Sequence, residues 1–255
     1  MGPRALFAAL VASEAFTAMP ACLEAAPLPR VTLVQPSGAA VPANLLRVSI
    51  TFTAPVDGEV LPRLALRRAD GTLLQEPFLQ QELWSPNGRI LTILMHPGRV
   101  KTGLQAREEL GAILTDGDAL TLTLDGAPIK HWTVEADDTH GPNAAGWTLS
   151  RVHAGSRAPL TVSLDAPIDG RDAGYLAVLD ATGRPLPGHA RLQDGERKWI
   201  FIPQHPWRAG RHQLAISGGL EDPAGNRLGS QFETPLNSTH GPAADATLHF
   251  SVAAH

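Results

Sequence analysis

Apolar and polar residues alternate with a period of two in run after run along this chain. In residues 47–53, Val48, Ile50 and Phe52 fall on one side and Ser49, Thr51 and Thr53 on the other, the pattern of a strand with one face buried. Leu160, Val162 and Leu164 repeat it. Further strands are predicted at 64–66 and 176–178, at 90–94 and 199–202, and at 120–124 and 213–216. The last pair is 131–134 and a weaker 231–234. Asp70-Gly71, Asn87-Gly88, Thr182-Gly183 and Asp194-Gly195 supply turns between them. Six or seven short strands in each stretch of about 100 residues predict an all-β protein of immunoglobulin-like β-sandwiches.

The same segments show that the chain is a tandem repeat. Pro55-Val56-Asp57-Gly58 returns as Pro167-Ile168-Asp169-Gly170, and Leu64-Ala65-Leu66 as Leu176-Ala177-Val178. His96-Pro97-Gly98-Arg99 is answered by His205-Pro206-Trp207-Arg208, and Thr139-His140-Gly141-Pro142 by an identical Thr239-His240-Gly241-Pro242. The spacing falls from 112 to 109 to 100 residues along these matches, so the first copy carries a surplus after His96. That surplus is placed in residues 101–111, where helix formers run up to Gly111, and reads as one short surface helix. A period near 100 residues exceeds solenoid and propeller repeats, so each copy is expected to carry its own core. The predicted division is a leader at 1–26, one sandwich at 27–142 and a second at 143–255.

A length of 255 residues and 43% hydrophobic content are enough for two cores. A net charge of −4 offers no footprint for nucleic acid, and none is expected as a partner. At the N-terminus Arg4 precedes the apolar run 5–12, the length of a signal h-region and too short to span a bilayer. The only cysteine, Cys22, is either a lipoprotein-type anchor or is discarded with the leader. Both readings place the protein in the periplasm or at the cell surface, and neither leaves a disulfide in the mature chain; the alternative to an export signal is a disordered or helical N-terminal extension.

Leu220-Glu221-Asp222-Pro223-Ala224-Gly225-Asn226-Arg227-Leu228 resembles the Asp-x-Ala-Gly-Asn-x-Leu turn near the end of bacterial Ig-like domains of the S-layer-associated, SbsA-like type. The opening Pro36-Ser37-Gly38, with the alternating strand ending at Ala54-Pro55-Val56-Asp57, is similar to the same family. In the first copy the late turn is shortened to Asp125-Gly126-Ala127-Pro128. The resemblance implies structural or binding roles in the cell envelope and supplies no catalytic residues.

Chemistry has few candidates. His96 with His205, and His140 with His240, form two repeated sets that could bind copper or zinc. Their spacing lacks the close pairs of recognisable metal sites, and the plainer reading is His-Pro at strand ends and Thr-His-Gly-Pro as a loop. Asp57 and Asp169 read as loop caps. Asp137-Asp138 could ligate calcium at the junction or form a solvated linker, and with Arg151 they mark where an enzyme pocket would lie. The five tryptophans read mainly as core rather than as a glycan-binding face. There is no Gly-x-Ser-x-Gly, His-Glu-x-x-His or phosphate-binding loop. No residue is therefore assigned a catalytic, cofactor-binding or metal-ligating role. The alternating run 247–252, following the second Thr-His-Gly-Pro, is read as an extra strand that either returns to an existing sheet edge or, left unpaired, is suited to pairing with another chain. The function expected is a non-catalytic exported binding or scaffold module with a protein or envelope partner; the alternative is a periplasmic metal-binding accessory protein.

Overall fold

The computed structural model describes residues 27–100, 104–230 and 244–254. The leader with Cys22, the strand expected at 231–234, and His240 and His255 lie outside them.

The protein is all-β and holds two immunoglobulin-like sandwiches in tandem. In the first, β1 (Val31–Gln35), β3 (Arg47–Phe52), β6 (Ile90–Met95) and β5 (Phe78–Trp84) form one sheet in the order β1-β3-β6-β5. The facing sheet has the order β2-β8-β7-β4, built from β2 (Ala40–Pro42), β4 (Leu64–Arg68), β7 (Ala119–Leu124) and β8 (Ala127–Glu135). The second sandwich repeats this as β12-β13-β10-β9 over β11-β14-β15. Its strands are β9 (Thr148–Leu149), β10 (Leu160–Ser163), β11 (Leu176–Leu179), β12 (Gly188–Gln193), β13 (Lys198–Pro203), β14 (Gly210–Ile216) and β15 (Ala246–Val252). Four strands packed on three is the constant-type immunoglobulin arrangement, and β2, parallel to β8, is an addition at the edge of the first copy.

Each sandwich closes around its own apolar cluster. Val48, Ile50, Phe52, Leu91, Ile93 and Leu122 centre the first; Leu160, Val162, Trp199, Leu214 and Ile216 centre the second. The alternation of β3 is thus realised as expected on its apolar side. Its polar side is not left to solvent: Ser49 is buried and its hydroxyl lies 3.1 Å from that of Thr92. Four of the five tryptophans are buried and Trp84 is half-buried, and every indole N–H has an acceptor, as the core reading requires.

The structure corrects two expectations. Leu74 N donates to Leu66 O and Leu186 N to Val178 O, matching the copies at 112 residues. At the next strand His96 N donates to Pro77 O, but its counterpart is Gln204 N donating to Pro187 O. His96 and His205 therefore sit one residue out of register and are not equivalent. The surplus after His96 is two short helices, α1 (Pro97–Val100) and α2 (Gln105–Leu110), rather than one. Gly111 ends α2 at φ 75° with its N–H on Arg107 O, the glycine stop that the sequence signals.

The C-terminal strand takes the first of its two expected courses and returns to its own sheet. β15 pairs with β14 over its whole length, from Gly210↔Val252 to Ile216↔Ala246, and Leu248 and Phe250 pack half-buried on the second core. It is the seventh strand of its own sandwich, the counterpart of β8. The two Thr-His-Gly-Pro runs thus precede non-equivalent strands, β9 and β15, which accounts for the spacing of 100 residues between them.

Candidate functional site: the junction between the sandwiches

The polar side of β3 faces the second sandwich. Arg47 Nε lies 2.8 Å from Asp169 Oδ2, and its Nη2 also meets Glu221 Oε2. Asp169 is 5% exposed and takes a second cation, Arg171, at 3.0 Å; Glu221 takes Arg227 at 3.1 Å. Asp172 stands behind them, with its carboxylate accepting from Glu221 N at 2.8 Å. The Pro-x-Asp-Gly repeat therefore has two fates. Asp169 is a buried anchor, whereas Asp57, at the same place in the first copy, is exposed.

A second contact is built on a strained residue. Val56 N donates to Gly88 O in the first copy and Ile168 N to Glu196 O in the second, so Glu196 occupies the place of Gly88. Both are left-handed, at φ 65° for Gly88 and 62° for Glu196, a conformation that costs a glutamate about 1 kcal/mol or more. The side chain shows why glycine is replaced. Glu196 is buried, and its carboxylate accepts from Gln35 Nε2 at 3.2 Å and Ser37 N at 2.8 Å across the junction. Lys130, whose ammonium donates to Ser37 O at 2.7 Å, sits beside it; burial pulls its pKa down, partly countered by the charge of Glu196.

The third contact is the turn that carries the SbsA-like resemblance. Pro223 O accepts from Leu46 N at 2.9 Å. Asn226 Nδ2 donates to Asp138 O at 2.9 Å and to Asp222 Oδ2 at 2.8 Å, and Asn44 Nδ2 donates to the same Asp138 carbonyl at 2.8 Å. Linker, first sandwich and second sandwich converge on one oxygen. Asp222 is 1% exposed, and burial raises its pKa to about 7, assisted by the like charge of Asp138. Asp172 is raised to about 6, again chiefly by burial, with Asp169 adding to it.

The linker itself is packed. A Cβ added at Gly141 would overlap Arg227 O and stand 2.8 Å from Ser230 O. Gly141→Ala is expected to lower the melting free energy by about 1–3 kcal/mol through overpacking, read by thermal denaturation, while Gly71→Ala meets no atom within 4 Å and loses only what its left-handed φ demands.

Beside these contacts lies a cleft of about 420 Å³ between the sandwiches, lined by Glu135, Asp138, Asp165, Asp194 and Arg197 among others. Three of its carboxylates are engaged: Asp165 accepts from Trp147 Nε1 at 2.7 Å and Asn143 N at 3.3 Å, Asp138 Oδ1 accepts from His140 N at 2.9 Å, and Asp194 pairs with Lys198 at 3.1 Å. Arg151, expected here, does not line it. Among the described residues no group of three or more His, Cys, Asp or Glu is placed to hold a metal. His96 instead begins α1 by accepting from Arg99 N and Val100 N, and His205 lies exposed after β13.

No family model matches the chain, and no curated protein matches it. Solved structures similar to it include LD transpeptidase LdtMt1 in complex with imipenem, at 15% identity over 64% of this chain and TM-score 0.28. The N-terminal part of the bacterial S-layer protein SbsC is 13% identical over 87% of this chain, with TM-score 0.27. Titin domains z1z2 in complex with telethonin are 13% identical over 82% of it, with TM-score 0.24. This chain spans 60% of the transpeptidase, 43% of the S-layer fragment and 88% of the titin pair.

Sequence reasoning singled out Asp169, Asp138 and the 220–228 turn, and these do meet at one place. It missed Arg47, Gln35, Glu196 and Asn44. The available signal was weak: an arginine opening an otherwise neutral strand, and a glutamate where the first copy has glycine.

Proposed function

We propose that the chain is a non-catalytic exported module in which two SbsA-like immunoglobulin domains, divided at about residue 142, form one rigid unit that presents its outer ends to an envelope partner. The observation that carries this reading is the Arg47–Asp169–Glu221 cluster. Two sandwiches on a flexible tether need no buried charges between them, and inter-domain motion is the default where interfaces are small and polar. Here an arginine, two carboxylates and two asparagines are committed to holding one relative orientation. A strained glutamate serves the same end.

The junction chemistry also argues for a defined unit rather than an open array. The second copy has Pro159 where the first has Arg47, and Asp57 is exposed with no ion pair among the described residues, so the outer ends do not reproduce the contact. Heterologous stacking of copies through the same contact is therefore not expected.

The test is small-angle scattering and NMR relaxation on the chain from about residue 27. A single rotational correlation time for both sandwiches and a scattering curve fitted by one conformation are expected. Independent tumbling of the halves, or stoichiometric uptake of copper or zinc, overturns the reading.

A further inference from the structure

The end of the second sandwich remote from the junction carries an open cleft of about 350 Å³. The corresponding end of the first sandwich is built differently. There the connection from Met95 to Ala119 is long enough to hold α1 and α2. Arg99 turns inward from it and donates to Gln75 O, to Gly111 O at 3.1 Å and to Leu110 O at 3.3 Å. In the second sandwich only residues 204–209 connect β13 to β14. Trp207, in the register of Arg99, packs against Phe201 and Phe250 with its indole N–H on Ala158 O at 2.8 Å. Among the described residues nothing takes the place of the helices, and the cleft is open.

Its lining has two characters. The floor is apolar, formed by Leu186, Pro203 and Trp207. The rim carries His205, Arg208 and Arg211, all exposed and none with a hydrogen bond or ion pair to its side chain among the described residues. The one carboxylate in the lining is already engaged: Asp180 Oδ1 accepts from Thr182 N at 2.8 Å, Thr182 Oγ1 at 2.7 Å and Arg184 N at 3.1 Å. Two guanidinium groups without counterions beside an apolar floor favour an oxyanion, which they can grip bidentately. The volume is that of a small-molecule site at the low end of the range.

We infer that this cleft binds a small anionic ligand with a carboxylate or phosphate head against Arg208 and Arg211 and a compact apolar body on the Leu186–Pro203–Trp207 floor. The inference deepens the proposed binding role. Its failure leaves the rigid-unit reading standing, because that reading is measured by scattering and not by ligand.

The experiment is NMR titration of the same chain with benzoate and phenylphosphate, with acetate, inorganic phosphate and benzylamine as comparisons. Saturable shifts at the Trp207 indole and the Leu186 and Arg211 amides are expected with benzoate, phenylphosphate or both, the stronger of the two naming the head group. Acetate and inorganic phosphate, lacking the apolar body, bind more weakly. Arg208→Gln with Arg211→Gln is expected to weaken binding at least about tenfold without lowering the melting temperature, both side chains being exposed. Absence of saturable shifts, equal binding of benzylamine, or unchanged affinity in the double variant overturns the inference.

Discussion

Replacing Arg47 by methionine is expected to uncouple the two sandwiches. The side chain is 11% exposed and lies between two carboxylates, Asp169 at 5% and Glu221 at 17%. Methionine fills similar volume but leaves these charges facing an apolar group. Removing one partner from a buried ion cluster costs about 3–5 kcal/mol, and the lower end applies here because Arg171 and Arg227 remain to share the load. The cores of the two halves are separate, so the loss falls on the junction and not on either fold. Calorimetry is expected to show one transition for the native chain and two for Arg47→Met, with the scattering curve broadening to a range of orientations. Asp57→Asn, the exposed counterpart, is the control and should change stability by no more than about 0.5 kcal/mol. A single unshifted transition in Arg47→Met would mean that the backbone contacts at Leu46 and Asp138 hold the junction alone.

The sandwich was legible in the sequence because each strand writes its own burial pattern. Val48, Ile50 and Phe52 need no knowledge of any distant residue to predict that one face is covered, and the glycine turns give the connections. The junction was not legible, because its partners are far apart in the chain and act by charge and shape rather than period. Gln35 meets Glu196 across a separation of 161 residues, and Arg47 meets Glu221 across 174. Local rules also pointed the wrong way. Ser49 reads as a solvent-facing strand residue and is buried by the neighbouring sandwich; Glu196 sits where backbone preference asks for glycine. Such conflicts between local preference and observed conformation mark the places where a longer-range demand has won.

The C-terminal strand shows a different limit. Matching Thr-His-Gly-Pro to its identical twin aligned 247–252 with the run at 147–152 and left two courses open to it, an edge of its own sheet or another chain. The pairing of β14 with β15 decides for its own sheet. Alternation is a better guide here than identity, since 247–252 offers Leu248, Phe250 and Val252 on one side, the pattern of a strand with one covered face. A repeated tetrapeptide fixes a turn, not an equivalence of the strands that follow it.

The junction is also expected to weaken as pH rises from about 5 to 8, the opposite of the usual behaviour of carboxylates in ion pairs. Burial raises Asp222 to about 7 and Asp172 to about 6, both above the ordinary carboxyl value. The folded protein then holds protons that the unfolded chain has released, so stability falls with pH across the interval between the two values. Their contribution is complete below about pH 4 and is lost as pH passes the folded values, a change on the order of a few kcal/mol for Asp222. The groups that face Asp222 are Asn226, which donates to both its oxygens, and Asp138, whose charge opposes ionisation. Ionisation therefore places a second negative charge beside the linker at the point where Asn226 grips the Asp138 carbonyl. Asp222→Asn keeps the shape and one acceptor and cannot ionise. Urea denaturation at pH 5 and pH 8 should show native stability falling between them and the variant changing by less than half as much. Stability that rises with pH, or an equal fall in the variant, would show that Asp222 is charged in the folded protein throughout and that Asn226 and the turn amides compensate its burial.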